Sequence, residues 1–176
     1  MAGAVERSGV TTFRGQPVTL LGGEVKVGTT APEFAVIGGD MSTVTLASSR
    51  GTVRLITSVP SLDTEVCSVE TRRFNTEAAS LPGVTMLTVS VDLPFAQRRW
   101  CDEAAADAVQ VTSDHRDLSF GLAYGVAIKE LRLLARAVFV VDADDTVVWT
   151  EYVPELGHHP DYTGALAAAR AALPGA

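Results

Sequence analysis

The sequence predicts an α/β fold in which a mixed β-sheet is covered by helices on both sides. Two apolar, β-branched runs, residues 84–91 and 137–141, are typical of strands that are buried on both faces. Helix-compatible segments separate the strands, in the order strand, helix, strand, helix, strand, hairpin and helix. Helical crossovers join parallel strands and hairpins join antiparallel ones, so this order favours a mixed sheet.

A β-hairpin is expected at the start of the chain. Residues 11–20 are rich in threonine and apolar side chains around a turn at residues 14–17. Residues 1–10 have no such pattern, and we predict a flexible tail there. The remainder, residues 11–176, is expected to form a single domain, since this length suits one sizeable core.

Glycine and proline residues mark where several of the following helices and strands begin or end. Pro94 favours the first turn of a helix, where a missing N–H is tolerated, and Gly125 ends a short helix. The expected strands are 34–37, 43–46, 52–58, 84–91, 109–112, 137–141 and 146–150, and the expected helices are 66–79, one from Pro94 onward, 117–124 and 160–173.

Composition excludes several classes of function. A net charge of −7 argues against nucleic acid or an anionic membrane as a partner. No apolar run approaches the roughly 20 residues that span a bilayer. The first residues lack the basic and apolar regions of a secretory signal, so we expect a cytoplasmic location.

Residues 60–67 link a predicted strand to a predicted helix and end in one of only two cysteines. Asp63 or Thr64 is placed to be the helix N-cap, so Cys67 falls in the first turn. The N-terminus of a helix carries a partial positive charge, which favours a thiolate over a thiol. The position therefore suits a reactive cysteine.

The second cysteine, Cys101, lies 34 positions after Cys67. The spacing is not CxxC, and no further cysteines accompany the pair to form a zinc site. A permanent structural disulfide is rare in a reducing compartment. On composition alone, two inert buried thiols remain an open alternative.

Several segments, in order, resemble one family. Pro60, Thr64 and Cys67 have the spacing of the active-site loop of peroxiredoxins. The second cysteine follows the run Asp-Leu-Pro-Phe-Ala at residues 92–96. Further segments match as well, together with the N-terminal hairpin: 28–34, 71–75, 92–101, 124–128 and 134–138. The whole set resembles the atypical two-cysteine peroxiredoxins of the thiol peroxidase type.

The resemblance implies a thioredoxin-like fold and a role for each site residue. Cys67 would be the peroxidatic nucleophile, which hydrogen peroxide or an organic hydroperoxide oxidises to a sulfenic acid. Thr64 would form hydrogen bonds with the thiolate and the peroxide. Arg136 would be the cation beside the sulfur, and Pro60 would shield the thiolate. Cys101 would resolve the sulfenic acid as an intramolecular disulfide. Thioredoxin as reductant and a homodimer are also implied, with no cofactor and no metal.

Two other functions use the same residues. A non-enzymatic redox sensor would need only the disulfide switch between Cys67 and Cys101. A thiol hydrolase would need a base such as His115. We expect one or both of the turns that carry the cysteines to unwind on oxidation, because a disulfide needs Cα atoms within about 7 Å. Glu65 is a departure from the pattern, since a carboxylate facing the sulfur would oppose a thiolate.

Overall fold

A computed structural model describes residues 3–175. Its helices are α1 (Glu65–Ala78), α2 (Pro94–Ala104), α3 (Ser119–Ala123) and α4 (Tyr162–Ala171), with a 3-10 helix at Leu46–Ser49. Its strands are β1 (Glu6–Phe13), β2 (Gln16–Leu21), β3 (Ala35–Gly38), β4 (Thr43–Thr45), β5 (Val53–Ser58), β6 (Val84–Ser90), β7 (Gln110–Ser113), β8 (Ala127–Ile128), β9 (Ala137–Val141) and β10 (Val147–Tyr152).

Seven of the strands form one mixed sheet, in the order β10-β9-β5-β6-β7-β3-β4. The pairs β5–β6 and β6–β7 are parallel, and the other pairs are antiparallel. α1 and α2 are the crossovers between the parallel strands, as such connections require. The prediction of a thioredoxin-like α/β fold with a central mixed sheet is confirmed.

Alternate residues of the central strands face two different apolar clusters. Leu55 of β5 packs with residues of α1, α2 and α4 on one face of the sheet. Ile56 packs with α3, the 3-10 helix and part of β2 on the other face. Because β5 is covered on both faces, all six of its residues are buried, including the polar Arg54, Thr57 and Ser58.

The N-terminal hairpin begins earlier than expected. β1 starts at Glu6, so residues 6–10, predicted to be part of a flexible tail, are strand residues, and Glu6, Arg7 and Ser8 pair with β2. The remainder of that tail includes residues 1 and 2, which lie outside the described residues. The turn needs only Arg14 and Gly15, both with positive φ. Residues 6–9 carry no apolar pattern because this edge strand is largely exposed there.

Strands β5 and β6 end at the same edge of the sheet, since they are parallel with Ser58 beside Val89. The loop to α1 leaves from this edge, and so does the loop to α2. Open α/β sheets place their sites at the carboxyl ends of parallel strands. The fold therefore brings the segments that carry Cys67 and Cys101 to one edge.

Candidate active site

Cys67 is the third residue of α1 and has no exposed surface. Thr64 is the N-cap and has extended backbone angles, as an N-cap residue should. Its hydroxyl donates to the Ser61 carbonyl oxygen at 2.9 Å, and within residues 3–175 it makes no hydrogen bond to Sγ of Cys67. The sulfur thus lies among the unpaired N–H groups of the first helical turn, where negative charge is favoured.

Arg136 provides the cation beside the sulfur. Its Nη2 donates to Sγ of Cys67 at 3.2 Å and to the Leu156 carbonyl oxygen at 2.9 Å. Its Nε also donates to Leu156 O, at 3.2 Å. Arg136 is 1% exposed and immediately precedes β9, which pairs with β5. Sheet pairing thus positions the guanidinium, because the strand before Cys67 and the strand after Arg136 are neighbours.

Glu70 is an unpredicted member of the site. One carboxylate oxygen pairs with Nη1 of Arg136, and the other accepts from the Thr57 hydroxyl. Glu70 has no exposed surface. Burial raises the pKa of Glu70, against the opposing effects of Arg136 and Thr57. The pKa of Arg136 is lowered by burial, but Glu70 and Cys67 raise it above its usual value, so the guanidinium stays charged.

The spacing of α1 contains a signal for Glu70. The buried residues of α1 are Cys67, Glu70, Thr71 and Phe74, at the i, i+3, i+4 and i+7 positions of one helical face. A glutamate on such a face needs a buried cation, since unpaired carboxylates are almost never fully buried. Glu65, by contrast, is exposed.

A pocket of about 270 Å³ opens next to the sulfur. Apolar surface dominates its lining, and Arg136, which donates to Sγ of Cys67, contributes a charge. Cys67 is fully buried and is not part of the lining, so contact between a substrate and the sulfur requires a local movement. The residues that line the pocket are Phe13, Arg14, Pro60, Thr64, Glu65, Val66, Arg136, Leu156 and Gly157.

The hairpin wall of this pocket is anchored by Glu155. Its carboxylate accepts from the Thr12 hydroxyl at 2.6 Å and from the backbone N–H groups of Arg14 and Gly15 at 3.1 and 3.0 Å. These donors stabilise the charged form and lower the pKa of Glu155 to about 2. The next residue is Leu156, whose carbonyl oxygen accepts a hydrogen bond from Arg136. The adjacent residues Glu155 and Leu156 therefore hold both the hairpin and the guanidinium group.

Cys101 lies on α2, half-buried, and both cysteines are free thiols. The two helices are in contact beside them, since Nε1 of Trp100 donates to Oγ of Ser68 at 3.2 Å. Burial raises the pKa of the Cys101 thiol, and the nearby carboxylates of Asp102 and Asp107 raise it further. These surroundings favour the thiol form of Cys101 over the thiolate.

Asp92 joins the two cysteine-bearing segments. It follows β6 and precedes α2, and its carboxylate accepts from Ser61 Oγ at 2.8 Å and from Leu62 N at 2.9 Å. It also accepts from Ser90 Oγ at 2.8 Å. The loop before Cys67 is thereby tied to the start of the helix that carries Cys101.

Two histidines, including His115, the candidate base of a thiol hydrolase, form hydrogen bonds with hydroxyl groups. His159 Nδ1 is 2.7 Å from the Tyr162 hydroxyl, and His115 Nδ1 is 2.8 Å from the Ser113 hydroxyl. In the described range, 3–175, no group of three or more His, Cys, Asp or Glu side chains is arranged to hold a metal ion. Over that same range, no helix has the length and apolar character needed to cross a membrane.

Comparisons with known proteins agree on the family. The Redoxin family model matches residues 26–166. A thiol peroxidase from Halalkalibacterium halodurans is 64% identical over 92% of this chain and 98% of the relative. A thiol peroxidase from Bacillus subtilis is 54% identical over 91% of this chain and 96% of the relative.

Solved structures give the same result for the fold. A peroxiredoxin-like protein from Aquifex aeolicus has a TM-score of 0.88 and 38% identity, over 97% of this chain and 100% of the other. A thiol peroxidase from Chromobacterium violaceum, at 19% identity, has a TM-score of 0.83 over 92% of this chain and 95% of the other, which supports the fold alone. With the matching family model and the high identities, these likenesses mean that the chain belongs to the redoxin family and, within it, to the thiol peroxidases.

Proposed function

We propose that this protein reduces hydrogen peroxide and organic hydroperoxides with Cys67 as the nucleophile. The observation that carries the proposal is the 3.2 Å contact between Nη2 of Arg136 and Sγ of Cys67, at the N-terminus of α1 and beside an apolar pocket. A permanent cation and a helix N-terminus both favour negative charge on sulfur. The thiolate is the reactive form of cysteine.

The first step is a two-electron oxidation of Cys67. The thiolate attacks the terminal peroxide oxygen, an S–O bond forms and the O–O bond breaks. The departing oxygen takes a proton and leaves as water or an alcohol, and Cys67 becomes a sulfenic acid. Arg136 is placed to stabilise the charge that develops on these oxygens, which is the larger source of rate in such sites. Thr64, which lines the same pocket, would donate to the bound peroxide after releasing Ser61.

The second step forms the disulfide. The Cys101 thiolate attacks the sulfenic sulfur, an S–S bond forms, and hydroxide leaves and is protonated to water. Cys67 is fully buried on α1 and Cys101 is half-buried on α2, so we expect α2 or the first turn of α1 to unwind for this step. Thioredoxin would then reduce the disulfide by thiol–disulfide exchange, which supplies the two electrons.

The pocket supports the choice of substrate. Phe13, Val66 and Leu156 provide apolar surface for the organic part of a hydroperoxide, whereas hydrogen peroxide needs only the polar end near Arg136. We also propose a homodimer, as in the family that the chain resembles; exposed Leu93 and Phe95 at the start of α2 offer apolar surface for it. A cytoplasmic location suits two free thiols.

A coupled assay tests the function. Thioredoxin reductase, thioredoxin and NADPH are incubated with the protein and peroxide, and NADPH consumption is followed. Wild type should turn over many times, and Cys67→Ser should consume no peroxide. The matched variant Cys101→Ser should complete one turnover and then stop. Absence of turnover in wild type would leave a redox sensor as the function, and sustained turnover in Cys101→Ser would remove Cys101 as the resolving residue.

A further inference from the structure

A second cavity lies on the face of the sheet opposite Cys67. It has a volume of about 290 Å³ and is bounded by the 3-10 helix, β4 and the first halves of β5 and β6. Cys67 packs in the apolar cluster with Leu55, whereas Phe34, Leu46 and Ile56 of this cavity belong to the cluster on the other face. The two cavities are therefore separate.

Arg54 is the unusual residue of this second cavity. It lies in the middle of the sheet, is 1% exposed and lines the cavity. One guanidinium nitrogen donates to the Thr52 carbonyl and another pairs with Asp145. Its Nε has no hydrogen-bond partner within residues 3–175. A buried charged donor without a partner is costly, and it is typical of a group that binds something else.

The charges around Arg54 do not balance. Arg50 also lines the cavity, and its Nε lies 3.7 Å from the same Asp145 carboxylate that Arg54 contacts. Two guanidinium groups thus share one carboxylate, which leaves one positive charge over. The side chain of Arg50 is 68% exposed, so it is free to turn toward a ligand. This balance favours a monoanion.

The remaining walls divide into a polar part and an apolar part. The polar part consists of Arg54, Thr52 and Thr85. The Thr52 hydroxyl donates to the Ser49 carbonyl at 2.9 Å and accepts from the Thr85 hydroxyl at 3.1 Å, so the donors for a ligand come from the arginines. The apolar wall is formed by Phe34, Val44, Leu46, Ile56 and Leu87. The volume lies just below the roughly 300–1,000 Å³ of pockets for drug-sized ligands. The ligand must therefore be small, with an anionic head and a short apolar chain.

We propose that this cavity binds a small aliphatic monocarboxylate, at a site distinct from the peroxide pocket. The carboxylate would accept from Arg50 and, after a local shift of the buried Arg54 side chain, from Nε of Arg54, because guanidinium groups pair well with planar carboxylates. The short chain would lie against Leu46 and Leu87. This site does not depend on the peroxidase function, since the two cavities share no lining residue.

Titrations of the whole protein with simple probes test the proposal. Acetate, butyrate and n-butylamine are added separately, and backbone amide NMR shifts are followed. Butyrate should bind with a dissociation constant of about 1 mM. It should bind about tenfold more tightly than acetate, because its additional methylenes are buried. The shifts should be confined to the residues around the cavity, 34, 44–56, 85–87 and 110, and n-butylamine should cause none.

Variants of the two arginines test whether they bind the carboxylate of the ligand. Arg50→Gln should weaken butyrate binding about tenfold, since a charged hydrogen-bond donor is lost. Arg54→Met should do the same; if it fails to fold, Arg50→Gln still decides, because Arg50 is exposed. The matched control is Arg170→Gln on α4, which is likewise half-exposed beside a carboxylate, Glu77, at 3.8 Å. It should bind as wild type.

Three results would overturn the proposal. One is the absence of butyrate-dependent shifts at concentrations well above the expected dissociation constant. Another is equal binding by wild type and Arg50→Gln. The third is tighter binding of inorganic phosphate than of butyrate, which would mean a site for the anionic charge alone without a role for the apolar wall.

Discussion

Replacing Arg136 by methionine separates its structural role from its chemical one. The change leaves the Glu70 carboxylate fully buried without a cation, and breaking a buried ion pair by removing one partner costs about 3–5 kcal/mol. The Leu156 carbonyl also loses both of its Arg136 donors, which adds about 1 kcal/mol. For a chain of this size, each kcal/mol lowers the melting temperature by about 2–4 °C. We expect a drop of about 10 °C or more.

The double variant with Arg136→Met and Glu70→Met should recover most of that stability. Replacing both members of a buried ion pair by apolar side chains of similar volume is often neutral or stabilising. The Thr57 hydroxyl and the Leu156 carbonyl lose partners, so a deficit of about 1–2 kcal/mol should remain. Thermal denaturation followed by circular dichroism measures both changes. Arg73→Met, an exposed arginine over the Tyr162 ring, is the control and should cost about 1 kcal/mol at most.

Activity should not recover with stability. Loss of one donor aimed at the developing charge lowers the rate by about 10²–10³-fold, and neither variant retains that donor. Rapid-mixing measurement of peroxide reduction by the prereduced protein, at a temperature where all variants are folded, gives this rate. If the double variant regained both stability and the wild-type rate, Arg136 would act only as a support for Glu70, and the reasoning would be refuted.

Three further changes test the surroundings of the site. Thr64→Val should slow peroxide reduction about 10–100-fold while Thr64→Ser remains active; an unchanged rate in Thr64→Val would limit Thr64 to its N-cap position. Asp92→Asn should lower the free energy of unfolding by about 1–3 kcal/mol, because charged hydrogen bonds to Ser61 and Leu62 are lost; a melting temperature equal to that of wild type would contradict this. In the folded protein the pKa of Glu155 is about 2, below its ordinary value of 4.5, so its ionised form stabilises at neutral pH and the contribution is lost as pH falls from about 5 to about 2. The difference in melting temperature between wild type and Glu155→Gln should therefore be largest near pH 7 and shrink in acid. A difference independent of pH would contradict the role of the Glu155 carboxylate in anchoring the hairpin.

Local sequence signals were sufficient for most of the elements. The strand at residues 84–91 and the helix after Thr64 were predicted within two residues of their observed bounds, because burial on both faces and a helix start leave clear local patterns. The first strand was predicted to start too late, since exposed edge residues such as Glu6 carry no apolar pattern. β8 was not predicted, because a strand of two residues leaves no periodicity to detect.

The site divides in the same way. Cys67, Thr64 and Pro60 are close in the chain, so their proximity follows from one loop and one helix start. Arg136 was placed at the sulfur by resemblance alone, and no local pattern links it to a residue 69 positions earlier. Glu155 and Asp92 were missed because their partners are backbone N–H groups and hydroxyls of distant segments, which have no sequence signature.

The sequence by itself determined the α/β class, the order of elements and the placement of Cys67 in the first turn of a helix, because these depend on interactions between residues near one another in the chain. Only the tertiary structure decided that Arg136 donates to Cys67 and forms an ion pair with Glu70. It also decided that the Thr64 hydroxyl donates to the Ser61 carbonyl instead of to the sulfur. Those contacts depend on the antiparallel pairing of β5 with β9 and on the face that α1 buries. Strand pairing and helix docking are long-range events, and they set the distances on which the chemistry depends.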